Sequence, residues 1–149
     1  MRHLLVDKIL SWSPQQRIRG VKAVSFEEYS IRQPLGYEPA LPESLAAGAI
    51  LELGNWLTIL SSDYTQLAWV IDIEHCTLTH SPGPGEHMLI DVRMLRFDHD
   101  QASFTGTASI GQREVIRISN WRSQVLPLQD YCDADDLRAL YGQIGEGGA

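Results

Sequence analysis

Gln33-Pro34-Leu35-Gly36-Tyr37-Glu38-Pro39-Ala40-Leu41-Pro42, running straight into Glu43-Ser44-Leu45-Ala46-Ala47-Gly48-Ala49-Ile50, decides the fold of this chain. Pro34, Gly36 and Pro39 break any regular element, so the first half reads as a loop. Pro42 suits the first position of a helix, where its missing N–H leaves nothing unsatisfied. Glu43 in the first turn complements the helix dipole. From there Leu45, Ala49, Leu53, Trp56, Leu57 and Leu60 recur at three- and four-residue spacing, predicting a helix over 42–60. Ala46, Ala47, Ile50 and Leu51 widen the apolar surface beyond one stripe, so the helix is expected to be buried on most sides. Gly48 and Gly54 each cost about 1 kcal/mol against alanine inside a helix. Their presence predicts close packing against a sheet or a second subunit.

Outward from this helix the pattern is that of strands. Residues 4–13 read as extended, with a turn at Pro14-Gln15-Gln16, and 17–25 alternates, with Ile18, Gly20 and Lys22 on one face. After Ser61-Ser62-Asp63 the residues 67–74 are apolar and β-branched, and 76–80 continue extended. Ser81-Pro82-Gly83-Pro84-Gly85 is a turn. Within 86–97, Met88, Ile90, Val92 and Met94 alternate with His87, Leu89, Asp91 and Arg93. A tip at Asp98-His99-Asp100 leads to strands over 102–110 and 114–121, joined at Gly111-Gln112. Asp133 caps a short predicted helix over 133–141, and 145–149 read as a frayed tail. One long helix and five or six antiparallel strands predict an α+β domain. The expected boundaries are 1–125 for this domain and 126–149 for a C-terminal extension with a short helix and flexible tail.

The 149 residues suffice for one domain with a substantial core. A content of 44% hydrophobic and 21% charged residues fits a soluble globular chain. No apolar run reaches the roughly 18 residues of a membrane span, and Leu4-Leu5-Val6 is too short for a signal peptide. A cytoplasmic location is expected. Cys76 and Cys132 are expected to remain reduced thiols. A net charge of −7 and scattered arginines argue against nucleic-acid binding, which needs a basic face for phosphate. Docking to an acidic carrier protein would likewise need a local basic patch.

Several motifs resemble those of the FabZ/FabA-type 3-hydroxyacyl-acyl-carrier-protein dehydratases. Leu4-Leu5-Val6-Asp7-Lys8-Ile9 is similar to that family's opening strand. Gln33-Pro34-Leu35-Gly36-Tyr37-Glu38-Pro39-Ala40-Leu41-Pro42 resembles its active-site segment, with the scaffold prolines Pro39 and Pro42 retained. Gly85-Glu86-His87-Met88-Leu89-Ile90-Asp91-Val92 resembles its Pro-Gly-Asp strand, and Phe104-Thr105-Gly106-Thr107-Ala108 its Phe-x-Gly-x-Ala. The resemblance spans residues 4–121 and implies the hot-dog fold, a sheet wrapped around one long helix. It also implies acyl thioesters of acyl-carrier protein or coenzyme A as substrates, in fatty-acid or polyketide-type metabolism. Pairing of two copies through their sheets, as a homodimer or higher homo-oligomer, removes an exposed sheet edge.

The family's chemistry uses a histidine base and a helical carboxylic acid. Anchored on Pro39 and Pro42, those positions fall on Pro34 and Gly48, neither of which moves a proton. Ordinary dehydratase catalysis is therefore not expected. Glu52 lies one turn beyond Gly48 on the same helical face. A carboxylate on an apolar helix is costly unless paired or functional. It is either a displaced catalytic group, such as the water-activating base of a hot-dog thioesterase, or a side chain that faces solvent or pairs with an arginine across a dimer. Gln33, Pro34, Ser44, Gly48 and Asn55 are the expected substrate-binding positions, with the backbone N–H groups near Glu43 and Ser44 available to a thioester carbonyl. A non-catalytic partner of an active dehydratase is a third possibility. His75, Cys76, His80 and His87 match no zinc spacing, and no metal or cofactor is expected. The absence of a Gly-x-Ser-x-Gly elbow gives serine-hydrolase chemistry no support.

Overall fold

The computed structural model describes residues 5–24, 43–80 and 82–145. Most of the hinge that precedes the long helix, with Gln33 and Pro34 in it, lies outside the described residues. The elements are β1 (Lys8–Ser13), β2 (Arg17–Ala23), α1 (Glu43–Ser61), β3 (Gln66–Leu78), β4 (His87–Phe97), β5 (Gln101–Ile110), β6 (Arg113–Pro127), a 3-10 turn (Leu128–Asp130) and α2 (Ala134–Ile144). The strands form one antiparallel sheet in the order β1-β2-β4-β5-β6-β3. No helix among the described residues is long and apolar enough to cross a membrane.

The helix follows its apolar pattern: Ala46, Ala49, Ile50, Leu53, Trp56, Leu57 and Leu60 are all buried. It ends where Asp63 and Tyr64 take left-handed backbone angles, with Tyr64 N–H donating to the Ile59 carbonyl at 2.8 Å. The alternation in β4 also holds, with Met88, Ile90, Val92 and Met94 facing the helix. On the opposite face, arginines are paired with carboxylates: Arg17 with Asp91, Arg117 with Glu114, and Arg122 with Asp72. These pairs are solvent-exposed and contribute little each to stability.

Small residues let helix and sheet approach closely. A Cβ at Gly54 would stand 2.8 Å from Trp121 Cζ2. A Cβ at Gly106 in β5 would stand 2.7 Å from Ile50 Cγ2 and 3.1 Å from both Trp121 and Val92. Phe104 and Trp121 stack beneath, with ring centroids 5.2 Å apart. The inner face of α1 is thus packed closely against the sheet at these positions.

Several expectations need correction. The two extended segments expected at 67–74 and 76–80 are one strand, β3, with a bulge between Val70 and Asp72. The last strand runs on to Pro127, because its far half pairs with β3 along Gln66–Val70. The first strand begins only at Lys8, although Leu5 and Val6 pack on the core. The tryptophans, read together as core or interface residues, divide: Trp56 and Trp121 are fully buried, while Trp69 is 63% exposed on β3.

Residues 134–144 form the helix α2, capped by Asp133, whose side chain accepts from Asp135 N–H at 2.8 Å. Leu137 and Ile144 join the core. Trp12 Nε1 donates to Tyr141 Oη at 3.1 Å, and Gly145 bridges to Ile9.

Candidate active site

Glu52 projects from α1 toward the N-terminal segment that precedes β1. One carboxylate oxygen, Oε2, accepts the backbone N–H of Leu5 at 2.7 Å. The other, Oε1, is buried and has no partner meeting hydrogen-bond geometry among the described residues. Burial pushes the carboxyl pKa up from 4.5 to about 7; the N–H groups of Leu5 and Val6, the Trp56 indole and the charge of Lys22 pull the other way. Burial wins because desolvation penalises the ionised form more than these partners repay. The residue as a whole is half-buried, while Oε1 itself is buried.

A cavity of about 310 Å³ opens beside this carboxyl, lined by Leu5, Gly48, Glu52, Asn55 and residues 68–70 of β3, among others. That is the lower end of the volumes typical of small-molecule pockets. Asn55, three residues beyond Glu52 and so on the same helical face, is fixed by its Oδ1, which accepts Ala68 N–H at 2.8 Å. With that oxygen engaged, its amide N–H₂ remains to donate. Leu5, Leu51, Ala68 and Val70 supply apolar walls.

The structure therefore brings Glu52, Gly48 and Asn55 to one cavity. Gly48 is more than a missing carboxylate: a Cβ there would stand 2.9 Å from Leu5 Cδ1. The N-terminal segment occupies the space that a side chain at this position would need. Ser44 lies in the first turn of α1, and its side chain is outside the described part of the structure. Among the described residues no histidine lines the cavity. His75 and His87 are exposed, while His80 and His99 sit beside Glu86 and Asp100 at 3.5 and 3.2 Å. No group of three metal-ligating side chains occurs among the described residues, and both cysteines are free thiols.

Three groups were not found from sequence. The Leu5 and Val6 N–H groups carry no side-chain signal. Trp56 reads simply as core. Lys22, only 4% exposed, does share the alternating face of Ile18 and Gly20, which marks it as inward.

No family model matches the chain. Among curated proteins it is similar to the 3-hydroxyacyl-[acyl-carrier-protein] dehydratase FabZ of Ralstonia nicotianae, 27% identical over 97 residues, covering 62% of this chain and 59% of that one. The FabZ of Anoxybacillus flavithermus is 26% identical over 108 residues, covering 72% and 76%. Among solved structures, a Streptococcus mutans protein bound to acetyl CoA superimposes with a TM-score of 0.68 at 13% identity, covering 85% of this chain and 94% of that one. The fluoroacetyl-CoA thioesterase FlK does so with a TM-score of 0.67 at 11% identity, covering 87% and 97%. The fold is the hot-dog fold, and in sequence the chain is similar to FabZ dehydratases.

Proposed function

We propose, from a hot-dog fold related to the FabZ dehydratases, that this chain processes acyl thioesters of coenzyme A or acyl-carrier protein, with Glu52 as the proton-transferring group. The observation that carries this reading is a buried carboxyl with a pKa of about 7 at the wall of a cavity. A base works best when its pKa lies near the working pH, and carboxyls shifted this far concentrate at functional sites.

Hydrolysis is the chemistry that this geometry favours. Ionised Glu52 takes a proton from water. The hydroxide attacks the thioester carbonyl carbon, the C–S bond breaks, and the proton passes to the leaving thiolate. Asn55 N–H₂ donates to the carbonyl oxygen as it gains charge. Of the two groups that the dehydratase reaction needs, the cavity offers among the described residues only a carboxyl. Similarity to dehydratases in sequence keeps a second reading open, in which Glu52 serves as both acid and base on a 3-hydroxyacyl thioester.

Assembly is part of the proposal. Among the described residues no strand pairs with the β3 edge opposite β6, and Trp69, Ile71 and Ile73 on this strand are 63%, 54% and 41% exposed. A long apolar edge is ordinarily covered. Pairing of two copies along β3 would cover it and close the open side of the cavity.

Incubation with acyl-CoA and 3-hydroxyacyl-CoA series separates the chemistries: free thiol marks hydrolysis and an α,β-unsaturated product marks dehydration. Thiol release that disappears in Glu52→Gln is expected. Equal inertness of both proteins on every thioester sinks the catalytic reading.

A further inference from the structure

Trp56 Nε1 and Glu52 Oε1 stand out as a pair. They sit four residues apart on α1, the spacing that brings side chains onto one face. Both atoms are buried, and neither has a partner meeting hydrogen-bond geometry among the described residues. An unsatisfied buried donor and an unsatisfied buried acceptor are each costly. The Trp56 ring is fully buried and cannot turn its N–H to solvent. Behind it, the Tyr141 ring of α2 packs at 6.1 Å with a 45° tilt, and Tyr141 Oη is itself engaged by Trp12 Nε1. Tyr141 thus holds the indole from the side of the C-terminal helix.

We infer that Trp56 is a positioning residue, whose indole N–H closes onto Glu52 Oε1 when the carboxyl ionises. Oε2 is already engaged by Leu5 N–H, so this contact sets the orientation of the remaining oxygen, the one left to take a proton. A charge-assisted bond is shorter and stronger than a neutral one, which is why the contact tightens on ionisation. The lowering influence of the Trp56 indole on the Glu52 carboxyl agrees with this. The other groups acting on that carboxyl are the Leu5 and Val6 N–H groups and, from β2, the charge of Lys22. The inference rests on the reading of Glu52 as the reacting group, but its measurement needs no turnover.

The test is a pH titration of protein labelled with ¹⁵N-tryptophan. Four indole N–H signals are expected from four tryptophans, and the Trp56 signal is assigned by its loss in Trp56→Phe. In the unaltered protein the Trp56 indole proton should move downfield, and exchange more slowly with solvent, with a midpoint at about 7. In Glu52→Gln it should stay flat. In Trp56→Phe, followed by ¹³C-carboxyl signals, the Glu52 pKa should rise by about 1–2 units, as for loss of one hydrogen bond to a charge. If none of the four indole signals shifts with pH while the Glu52 carboxyl titrates, the inference is overturned in the native protein, whether or not Trp56→Phe folds. A titrating indole in a protein that neither cleaves nor dehydrates any thioester would leave the positioning role standing and remove the catalytic one.

Discussion

Replacing Glu52 with glutamine should change how the stability of this protein depends on pH, by an amount readable from the structure. Unfolded, the Glu52 carboxyl has its ordinary pKa of 4.5; folded, burial raises it to about 7. Below pH 4.5 both states hold the proton and Glu52 costs nothing. As the pH rises between these values the unfolded chain ionises while the folded one does not, so unfolding releases a proton and stability falls. Above about pH 7 both states are ionised and the full cost of the buried charge is present. The gap between 4.5 and about 7 corresponds to about 3 kcal/mol, a large share of the 5–15 kcal/mol typical of a domain. In Glu52→Gln nothing titrates there, and the Leu5 N–H keeps a side-chain oxygen to donate to. The assay is urea unfolding of both proteins from pH 4 to pH 8.5 at one fixed protein concentration, because dimerisation would otherwise shift the midpoints. Differencing the two curves cancels every other titrating group. The stability difference, unaltered minus variant, should fall by about 3 kcal/mol between pH 4.5 and 8. A difference that is flat across this window would mean that Glu52 is not desolvated, and the case for it as a base near neutral pH would fall with it.

Two further outcomes follow from packing and from the edge strand. Gly106→Ala puts a methyl group 2.7 Å from Ile50 Cγ2 and 3.1 Å from Trp121 and Val92; overpacking of this kind costs about 1–3 kcal/mol, visible as a lower unfolding midpoint at unchanged m-value. Ile73→Lys places a charge on the exposed inner side of β3, and sedimentation should then show monomer where the unaltered protein sedimentates as a dimer; an unaltered protein that is already monomeric refutes the pairing along β3.

The long helix and the sheet were legible in the chain for a simple reason. Both depend on local periodicity, which survives without knowledge of neighbours: Leu45 through Leu60 at helical spacing, and Met88 through Met94 in alternation. The glycines of the helix also announced close packing, although not which neighbour each would touch. Gly54 meets Trp121 of the sheet and Gly48 meets Leu5 of the N-terminal segment. The extent of β3 and β6 was not legible, because the far halves of both strands form only by pairing with each other.

By itself, the sequence determined that a carboxylate would sit one turn beyond Gly48 on an apolar helix, with Asn55 on the same face. Those statements need only 3.6 residues per turn. What it could not contain is the environment that turns this carboxylate into a base near neutral pH. Leu5 N–H reaches it from 47 positions away, β3 walls the cavity beyond it, and α2 packs Tyr141 behind the tryptophan at its side. Desolvation depends on everything that surrounds a group, and those surroundings were assembled only when distant segments came together.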